Sequence, residues 1–177
     1  EPIQGEGGVI PGDKLFFKEL REICNQNNSL LILDEVQSGV GRTGKMWGYE
    51  NLEIEPDGFT LAKGLGGGHA IGALLVQEKA NIFNPGDHAS TFGGNPFACR
   101  AALTVLEEIT RRKILKNVFE RGNQLNEGFT KISAKFPKII SSIRGLGLIQ
   151  GLVINDSYTD AKTITLKAFD KGLLLVP

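Results

Sequence analysis

The sequence is poor in cysteine, has no long apolar run and carries no excess charge, and each shortage excludes a class of protein. Its 177 residues include only two cysteines, Cys24 and Cys99, which lie far apart in apolar helical contexts. This pattern predicts reduced core cysteines and argues against a disulfide or a metal pair. Since no segment has membrane-spanning length and no signal-peptide pattern is present, we expect no membrane association and a cytoplasmic location.

The charges are balanced, with 20 basic residues, 20 acidic residues and a net charge of zero. No basic run or basic-aromatic face is present, so we expect no nucleic-acid partner. One of the two histidines, His88, lies in a turn-rich loop and is interpreted as a loop residue, and we predict no metal site. The hydrophobic content of 41% is sufficient for one buried core, or for one core and a small appendage.

Glycine, in contrast, is abundant, with 23 residues of 177 against a usual fraction of about 7%. The densest cluster is TLAKGLGGG at 60–68, where Lys63 ends an apolar run and four glycines follow in five residues. A lysine at the rim of a buried strand is partly desolvated, which favours the neutral amine that attacks carbonyl groups. The alternative is a lysine that happens to precede a flexible loop.

The order of apolar runs and helical patterns predicts an α/β fold with a mostly parallel sheet. Asp13 can cap a helix that extends to about Asn27, and the apolar run at 30–33 is typical of a strand covered on both faces. In such sheets, ligands bind outside the carboxyl ends of the strands. The further predicted elements are strands at 59–63 and 72–77 and a helix that begins at Asn95–Pro96.

The sequence becomes charged and helical in pattern beyond about Arg112, and this change predicts a domain boundary. Residues 1–112 read as the C-terminal part of a larger domain, and residues 113–177 read as most of a small α+β domain. In the small domain, two strands at 139–143 and 148–154 are predicted around a turn at 144–147, followed by a helix. The chain starts without methionine and ends in an apolar run, so we expect a piece of a longer protein.

Asp34 and Lys63 are the first pair of residues with a chemical meaning. Asp34 ends the strand at 30–33 and lies 29 residues before Lys63, and one βα unit spans about 30 residues. We therefore expect both to emerge at the same edge of one sheet. A lysine that forms a Schiff base and an aspartate that pairs with a pyridinium nitrogen are the two fixed points of a pyridoxal-phosphate site. The alternative for Asp34 is a helix cap or a turn residue.

Five segments together resemble the class III (ornithine-type) aminotransferases, which are pyridoxal-phosphate enzymes of fold type I. They follow the family's order and spacing over essentially the whole chain. Within the family, GVGRTGKMWGYE and GDHASTFGGNPFAC most resemble the branch that acts on N-acetylornithine. The five segments are EPIQGEGG at 1–8, LDEVQSGVGRTG at 33–44, PDGFTLAKGLGGG at 56–68, STFGGNP at 90–96 and RGLGLIQG at 144–151.

The resemblance implies a role for each matching residue around pyridoxal 5'-phosphate. Lys63 resembles the Schiff-base lysine, and Asp34 resembles the partner of the pyridinium nitrogen. Val36 is similar to the residue that packs on one face of the ring, and Gln37 to the residue that bonds the phenolic oxygen of the ring. The part of the chain that carries these four residues therefore resembles the cofactor-binding large domain of the family.

Other matches imply contacts with substrate and with a second subunit. Thr91 matches a residue that reaches the cofactor phosphate of the neighbouring subunit in a homodimer, and Ser90 matches a substrate contact beside it. Glu1 resembles the glutamate that pairs with a carboxylate-binding arginine when no substrate carboxylate needs it. Arg144 is interpreted as a structural turn or interface arginine. The phosphate loop, the ring-stacking aromatic and the carboxylate-binding arginine lie outside this sequence, so the isolated chain is expected to be inactive.

The resemblance implies transfer of the terminal amino group of N-acetylornithine to 2-oxoglutarate, a step of arginine biosynthesis. One alternative is another ω-aminotransferase, acting on ornithine, succinylornithine or 4-aminobutyrate, or the related aminomutase. A second alternative, from a different class, is a non-catalytic remnant that keeps only the fold. The intact pair of Asp34 and Lys63 weighs against the remnant.

Overall fold

The computed structural model describes residues 1–177 and contains four α-helices and three small β-sheets. None of the helices combines the length and the apolar character needed to span a bilayer. Single 3-10 turns lie at Gly48–Asn51, Lys63–Gly66 and Glu78–Ala80. The helices are α1 (Lys14–Gln26), α2 (Pro96–Arg111), α3 (Ile114–Lys135) and α4 (Ala161–Phe169), and the strands are β1 (Ile3–Gln4), β2 (Ile10–Pro11), β3 (Ile32–Asp34), β4 (Gly58–Leu61), β5 (Ala73–Val76), β6 (Ile140–Leu146) and β7 (Ile149–Ile154).

The central sheet has the order β3-β4-β5 and brings the two predicted strand ends together. β3 and β4 are parallel, as predicted, and β5 runs antiparallel to β4. In the register of the three strands, Asp34 lies beside Thr60, and Thr60 lies beside Leu74. The carboxyl ends of β3 and β4 therefore meet at one edge of the sheet.

Only one face of this sheet is covered by other parts of the chain. Phe17 and Cys24 of α1 form one apolar cluster with Leu31 and Leu33, and a second cluster joins β4 to α2; the second cluster consists of Leu61, Leu65 and Ala102. Ile32 and Leu74, on the opposite face, are 44% and 50% exposed. The prediction of a strand covered on both faces is therefore wrong for these 177 residues, because α1 and α2 pack against the same face and side chains alternate along a strand.

Helix α1 begins and ends close to its predicted limits. The Asp13 side chain accepts a hydrogen bond from the Phe16 amide at 2.9 Å, which satisfies one of the free amides of the first turn. The prediction of core cysteines is confirmed for Cys24, which is buried, and wrong for Cys99, which is exposed. Cys99 lies in the first turn of α2, about 100° around the helix axis from the buried Ala98.

A buried ion cluster ties α1 to the base of the sheet. Asp57 is 1% exposed and accepts hydrogen bonds from Arg21 and from the Leu31 amide, both at 2.6 Å, and it also forms an ion pair with Lys79. Burial alone would raise the pKa of Asp57, but the hydrogen bonds from Lys79, the Leu31 amide and Arg21 outweigh it and lower the pKa to about 2. The cluster joins the first helix, the start of the sheet and the turn after β5.

The C-terminal part of the chain is built on a helix pair and a hairpin. α2 and α3 are separated at Arg112–Lys113, which coincides with the predicted boundary, although the division into domains at 1–112 and 113–177 stays a prediction. β6 and β7 are antiparallel, and Gly147–Leu148 forms their turn. The predicted turn at 144–147 is wrong, because Arg144 pairs with Gly151 inside the ladder. The Leu148 amide donates to the carbonyl of Arg42 at 2.9 Å, so the hairpin turn packs on the loop that follows β3.

Candidate active site

Asp34 is the last residue of β3, and one of its two carboxylate oxygens is fixed by the chain. Its Oδ1 accepts hydrogen bonds from the Val36 amide at 2.8 Å and from the Thr60 hydroxyl at 3.4 Å. Its Oδ2 accepts none, and the side chain lies on the uncovered side of the sheet. Asp34 therefore presents a carboxylate oxygen of fixed orientation that is free to accept a hydrogen bond from a bound group.

Lys63 follows β4 by two residues and lies in a tight turn. Its φ of +40° is in the left-handed region, which costs a residue other than glycine about 1 kcal/mol. The turn is held by the buried side chain of Leu65 and by the hydrogen bond from the Leu65 amide to the carbonyl of Ala62 at 2.9 Å. Strained backbone that is maintained in this way is concentrated at functional sites.

The Lys63 side chain itself is exposed and forms no ion pair. The prediction that this amine is partly desolvated is therefore wrong for the described residues. The physical reason is the same as for the open sheet face, because α1 and α2 cover the opposite side. The amine is consequently accessible to a ligand at the carboxyl ends of β3 and β4.

The loop at 38–48 packs against the turn that contains Lys63. A Cβ built at Gly64 would lie 3.7 Å from the Cβ of Val40, which is ordinary van der Waals distance. Val40 has a φ of +54°, an unusual value for a β-branched residue. The loop also passes close to the sheet, since a Cβ at Gly39 would lie 2.9 Å from a methyl carbon of Leu61. The position of the lysine turn thus depends on the loop after β3.

Glu35 anchors that loop and is a residue that the sequence interpretation missed. It is 1% exposed, and its carboxylate accepts hydrogen bonds from the Ser38 hydroxyl at 2.6 Å, the Gly48 amide at 2.8 Å and the Tyr49 amide at 2.6 Å. Burial raises the pKa of Glu35, and these three hydrogen bonds oppose the rise. Alternation along β3 could have found it, because a strand that exposes Asp34 turns the next residue to the covered face.

Gln37 lies beside the N-terminal segment of the chain. Its side chain is partly buried and makes no hydrogen bond, and it lies against Gly5, which follows β1. Glu1, at the start of the same segment, is exposed and forms no ion pair with the rest of the chain. Gln37 therefore lies near the sheet edge at which β3 ends with Asp34. Glu1 has no partner in this chain.

Ser90 and Thr91 lie in an exposed loop and are not brought to the strand ends by hydrogen bonds. The Ser90 hydroxyl accepts a hydrogen bond from the Gly93 amide at 2.9 Å, within the loop itself. Thr91 is exposed and its hydroxyl has no partner in the chain. The predicted site residues thus fall into two groups, of which one lies around the ends of β3 and β4 and the other lies in chain segments that no hydrogen bond joins to those strand ends.

Comparison with known proteins gives consistent matches over the whole chain. The sequence profile of the family described as Aminotransferase class-III matches residues 1–177. The acetylornithine aminotransferase of Prochlorococcus marinus subsp. pastoris (strain CCMP1986 / NIES-2087 / MED4) is 95% identical over 177 residues, which are 100% of this chain and 43% of that protein. The chain therefore spans less than half the length of this relative.

Two solved structures show the same fold. The N-acetylornithine aminotransferase of Stenotrophomonas maltophilia K279a is 39% identical with a TM-score of 0.86, and the match covers 99% of this chain and 46% of that one. An ornithine aminotransferase of Toxoplasma gondii is 34% identical with a TM-score of 0.91, and the match covers 99% of this chain and 42% of that one. Its structure was described as having partial occupancy of PLP at the active site. The predicted fold class, a part of a fold-type-I aminotransferase, is confirmed.

Proposed function

Because the chain belongs to the class III aminotransferase family, we propose that it is the lysine-bearing part of a pyridoxal-phosphate-dependent transaminase. The proposed reaction transfers the terminal amino group of N-acetylornithine to 2-oxoglutarate, as a step of arginine biosynthesis. The 95% identity to an acetylornithine aminotransferase supports this choice of amino donor. The observation that carries the proposal is the parallel register of β3 and β4, which places Asp34 and the turn of Lys63 at one sheet edge.

The donor set at this edge fits pyridoxal phosphate. Asp34 offers a free carboxylate oxygen to a protonated ring nitrogen, Lys63 offers an accessible primary amine, and Gln37 offers an amide without a partner. When bound, pyridoxal phosphate supplies an aldehyde that captures amino groups and a protonated ring that accepts electrons from the substrate carbon. Three groups of these types are what a flat heterocycle with a basic nitrogen and an aldehyde requires.

The proposed roles of these residues are the ones that the family resemblance implies. The Lys63 amine would hold the cofactor covalently and, once substrate displaces it, would act as the base that takes the proton from the substrate carbon bearing the amino group. Oδ2 of Asp34 would accept the hydrogen bond of the ring nitrogen and would keep that nitrogen protonated, because an adjacent negative charge favours the cation. Val36 would pack on one ring face, and Gln37 would donate a hydrogen bond to the phenolic oxygen. Thr60 and the Val36 amide fix the Asp34 carboxylate in orientation.

A homodimer is part of the proposal. Thr91 would reach the cofactor phosphate of the neighbouring subunit, and Ser90 would contact substrate beside it. The exposure of the whole loop and the missing partner of the Thr91 hydroxyl support this role. Glu1 would pair with an arginine that lies outside the 177 residues. The cytoplasmic location stays a prediction from the sequence.

Borohydride labelling of the full-length protein tests the assignment of Lys63. Borohydride fixes a carbonyl–lysine linkage as a stable amine, so peptide mass spectrometry identifies the labelled residue. We expect the label on Lys63, and we expect Lys63→Ala to lose both the label and at least about 100-fold in kcat. Lys131→Ala, which removes an exposed lysine of α3 that forms no ion pair, is the matched control. A label that persists in Lys63→Ala would overturn the assignment.

A donor panel tests the substrate and separates a second candidate. Ornithine is the alternative donor to compare, because the similar solved structures include ornithine aminotransferases such as the T. gondii enzyme. We expect kcat/KM for glutamate formation to be about tenfold higher with N-acetylornithine than with ornithine, succinylornithine or 4-aminobutyrate. A higher value with ornithine would replace the proposed donor. An aminomutase would need no 2-oxoglutarate, and a remnant would form no glutamate with any donor.

A further inference from the structure

The Gln37 side chain is oriented by packing and by no hydrogen bond of its own. It lies against Gly5, because a Cβ built at residue 5 would lie 2.9 Å from the Cδ of Gln37 and closer still to its Oε1. Non-bonded carbon atoms pack at about 3.5–4.0 Å. The amide of Gln37 therefore occupies space that any side chain at residue 5 would fill.

Gly5 is the fixed member of this contact. It follows β1, whose residues pair with Ile10 and Pro11 of β2, and its carbonyl accepts hydrogen bonds from the amides of Gly8 and Val9, both at 3.1 Å. Ile3, two residues earlier, is buried. Gln37 is the flexible member, since its amide is at the end of a long side chain. An added methyl group at residue 5 would consequently move Gln37 and leave the hairpin in place.

We infer that Gly5 is a positioning residue for Gln37: the missing side chain at residue 5 keeps open the space in which the Gln37 amide lies at the sheet edge of Asp34 and Lys63. The inference rests on the proposed function, in which this amide bonds the phenolic oxygen of the cofactor. Gly5 is not required for its conformational freedom, because its φ lies outside the left-handed region. Alanine is therefore allowed by the backbone and excluded by Gln37 alone.

The test compares Gly5→Ala, Gln37→Ala and the double variant in the full-length protein. We expect Gly5→Ala and Gln37→Ala each to weaken the binding of pyridoxal phosphate about tenfold, the effect of one lost hydrogen bond. Both are also expected to change the absorbance spectrum of the bound cofactor in the same way. The double variant is expected to behave like Gln37→Ala, because the methyl group no longer has a side chain to displace.

Gly7→Ala is the matched control in the same hairpin. A Cβ at Gly7 would lie 3.4–3.9 Å from the Gln4 side chain, an ordinary contact, and its φ is also outside the left-handed region. We expect the affinity and the spectrum of this variant to equal those of the wild type. A tenfold loss in Gly7→Ala would show that the hairpin responds to any added methyl group, which would overturn the role of Gly5.

The outcomes separate this inference from the function on which it rests. If Gln37→Ala keeps the wild-type affinity and spectrum, the cofactor contact of Gln37 is wrong and the role of Gly5 is overturned with it. If Gln37→Ala is impaired and Gly5→Ala is not, or if the two effects add, only the role of Gly5 is overturned. If Gly5→Ala lowers the thermal midpoint, Gln37→Ala should restore it, and a failure to restore it would contradict the clash.

Discussion

The ends of β3 and β4 and the loop at 81–94 both carry predicted site residues, but they are built in opposite ways. At the strand ends, Asp34 has one oxygen held by two hydrogen bonds, and the adjacent Glu35 is buried with three. In the loop every residue is exposed. The side-chain hydrogen bonds of the loop link residues three or fewer positions apart, such as the one from the Gly93 amide to the Ser90 hydroxyl.

This difference separates residues whose positions one chain determines from residues that need another surface. The carboxylate of Asp34 and the turn of Lys63 are placed by the sheet and by the loop packed behind it. Thr91 has no such support, and this fits its proposed contact with a neighbouring subunit. Substitutions that remove contacts at the strand ends should therefore lower the stability of the chain that carries them. Substitutions in the loop should instead affect the site of the neighbouring subunit.

The largest effect should come from Glu35→Ala, which tests whether the buried hydrogen bonds of Glu35 hold the loop behind the strand ends in place. The substitution leaves two buried donors, the Ser38 hydroxyl and the Gly48 amide, and the partly buried Tyr49 amide without an acceptor. We expect the free energy of unfolding of the full-length protein to fall by about 3–5 kcal/mol. We also expect faster tryptic cleavage after Arg42, measured by mass spectrometry, because the loop loses its anchor.

Glu50→Ala is the control for Glu35→Ala. Glu50 is an exposed carboxylate in the same stretch and accepts one hydrogen bond, from the Trp47 amide at 2.8 Å. Its loss should cost about 1 kcal/mol or less and leave the cleavage rate near that of the wild type. Equal cleavage rates in both variants would mean that Glu35 does not hold the loop, and the contrast with residues 81–94 would be lost.

Acidification should weaken the base of the sheet through Asp57. Its pKa is lowered in the folded protein to about 2 from an ordinary value of 3.8, so the ionised form favours folding. The contribution, about 2 kcal/mol, is fully present above about pH 4 and is lost as the pH falls towards 2. Urea unfolding of the wild type and of Asp57→Asn should show a stability difference that shrinks over this window. A difference that is constant with pH would contradict the ion cluster.

The sequence predicted the parts of this comparison that depend on local pattern. The helix capped by Asp13, the parallel strands and the positions of Asp34 and Lys63 follow from periodicity and from the length of a βα unit. The burial of Glu35 does not follow from the run LLIL, because four consecutive apolar residues predict a strand covered on both faces and hide the alternation along β3. The exposure of Cys99 and the strand position of Arg144 depend on contacts distant in sequence, which local pattern does not contain. The contact of Gly5 with Gln37 joins residues 32 positions apart, and no local signal could indicate it.

Mixed dimers test whether the loop acts in the partner subunit. Thr91→Asp places a carboxylate beside the proposed phosphate and should weaken cofactor binding about tenfold or more. In a heterodimer of Thr91→Asp with Lys63→Ala, a contact across the interface leaves one site with both residues intact. We therefore expect about half the wild-type activity from the heterodimer. If Thr91 serves its own subunit, neither site is intact and the activity of the heterodimer should stay near the mean of the two impaired homodimers.

Thr60→Val should give the smallest effect and shows how finely the strand ends are positioned. Valine keeps the β-branched shape that suits β4 and removes only the hydroxyl that donates to Asp34 Oδ1 at 3.4 Å. Because this hydrogen bond is long and the Val36 amide remains, we expect only about a threefold loss in cofactor affinity. The pH at which the absorbance of the bound cofactor changes should also shift, since a less fixed carboxylate stabilises the protonated ring nitrogen less. Thr104→Val removes an exposed hydroxyl that bonds the carbonyl of Arg100 within α2 and should change neither quantity. An unchanged Thr60→Val would show that the Val36 amide alone is enough to orient Asp34.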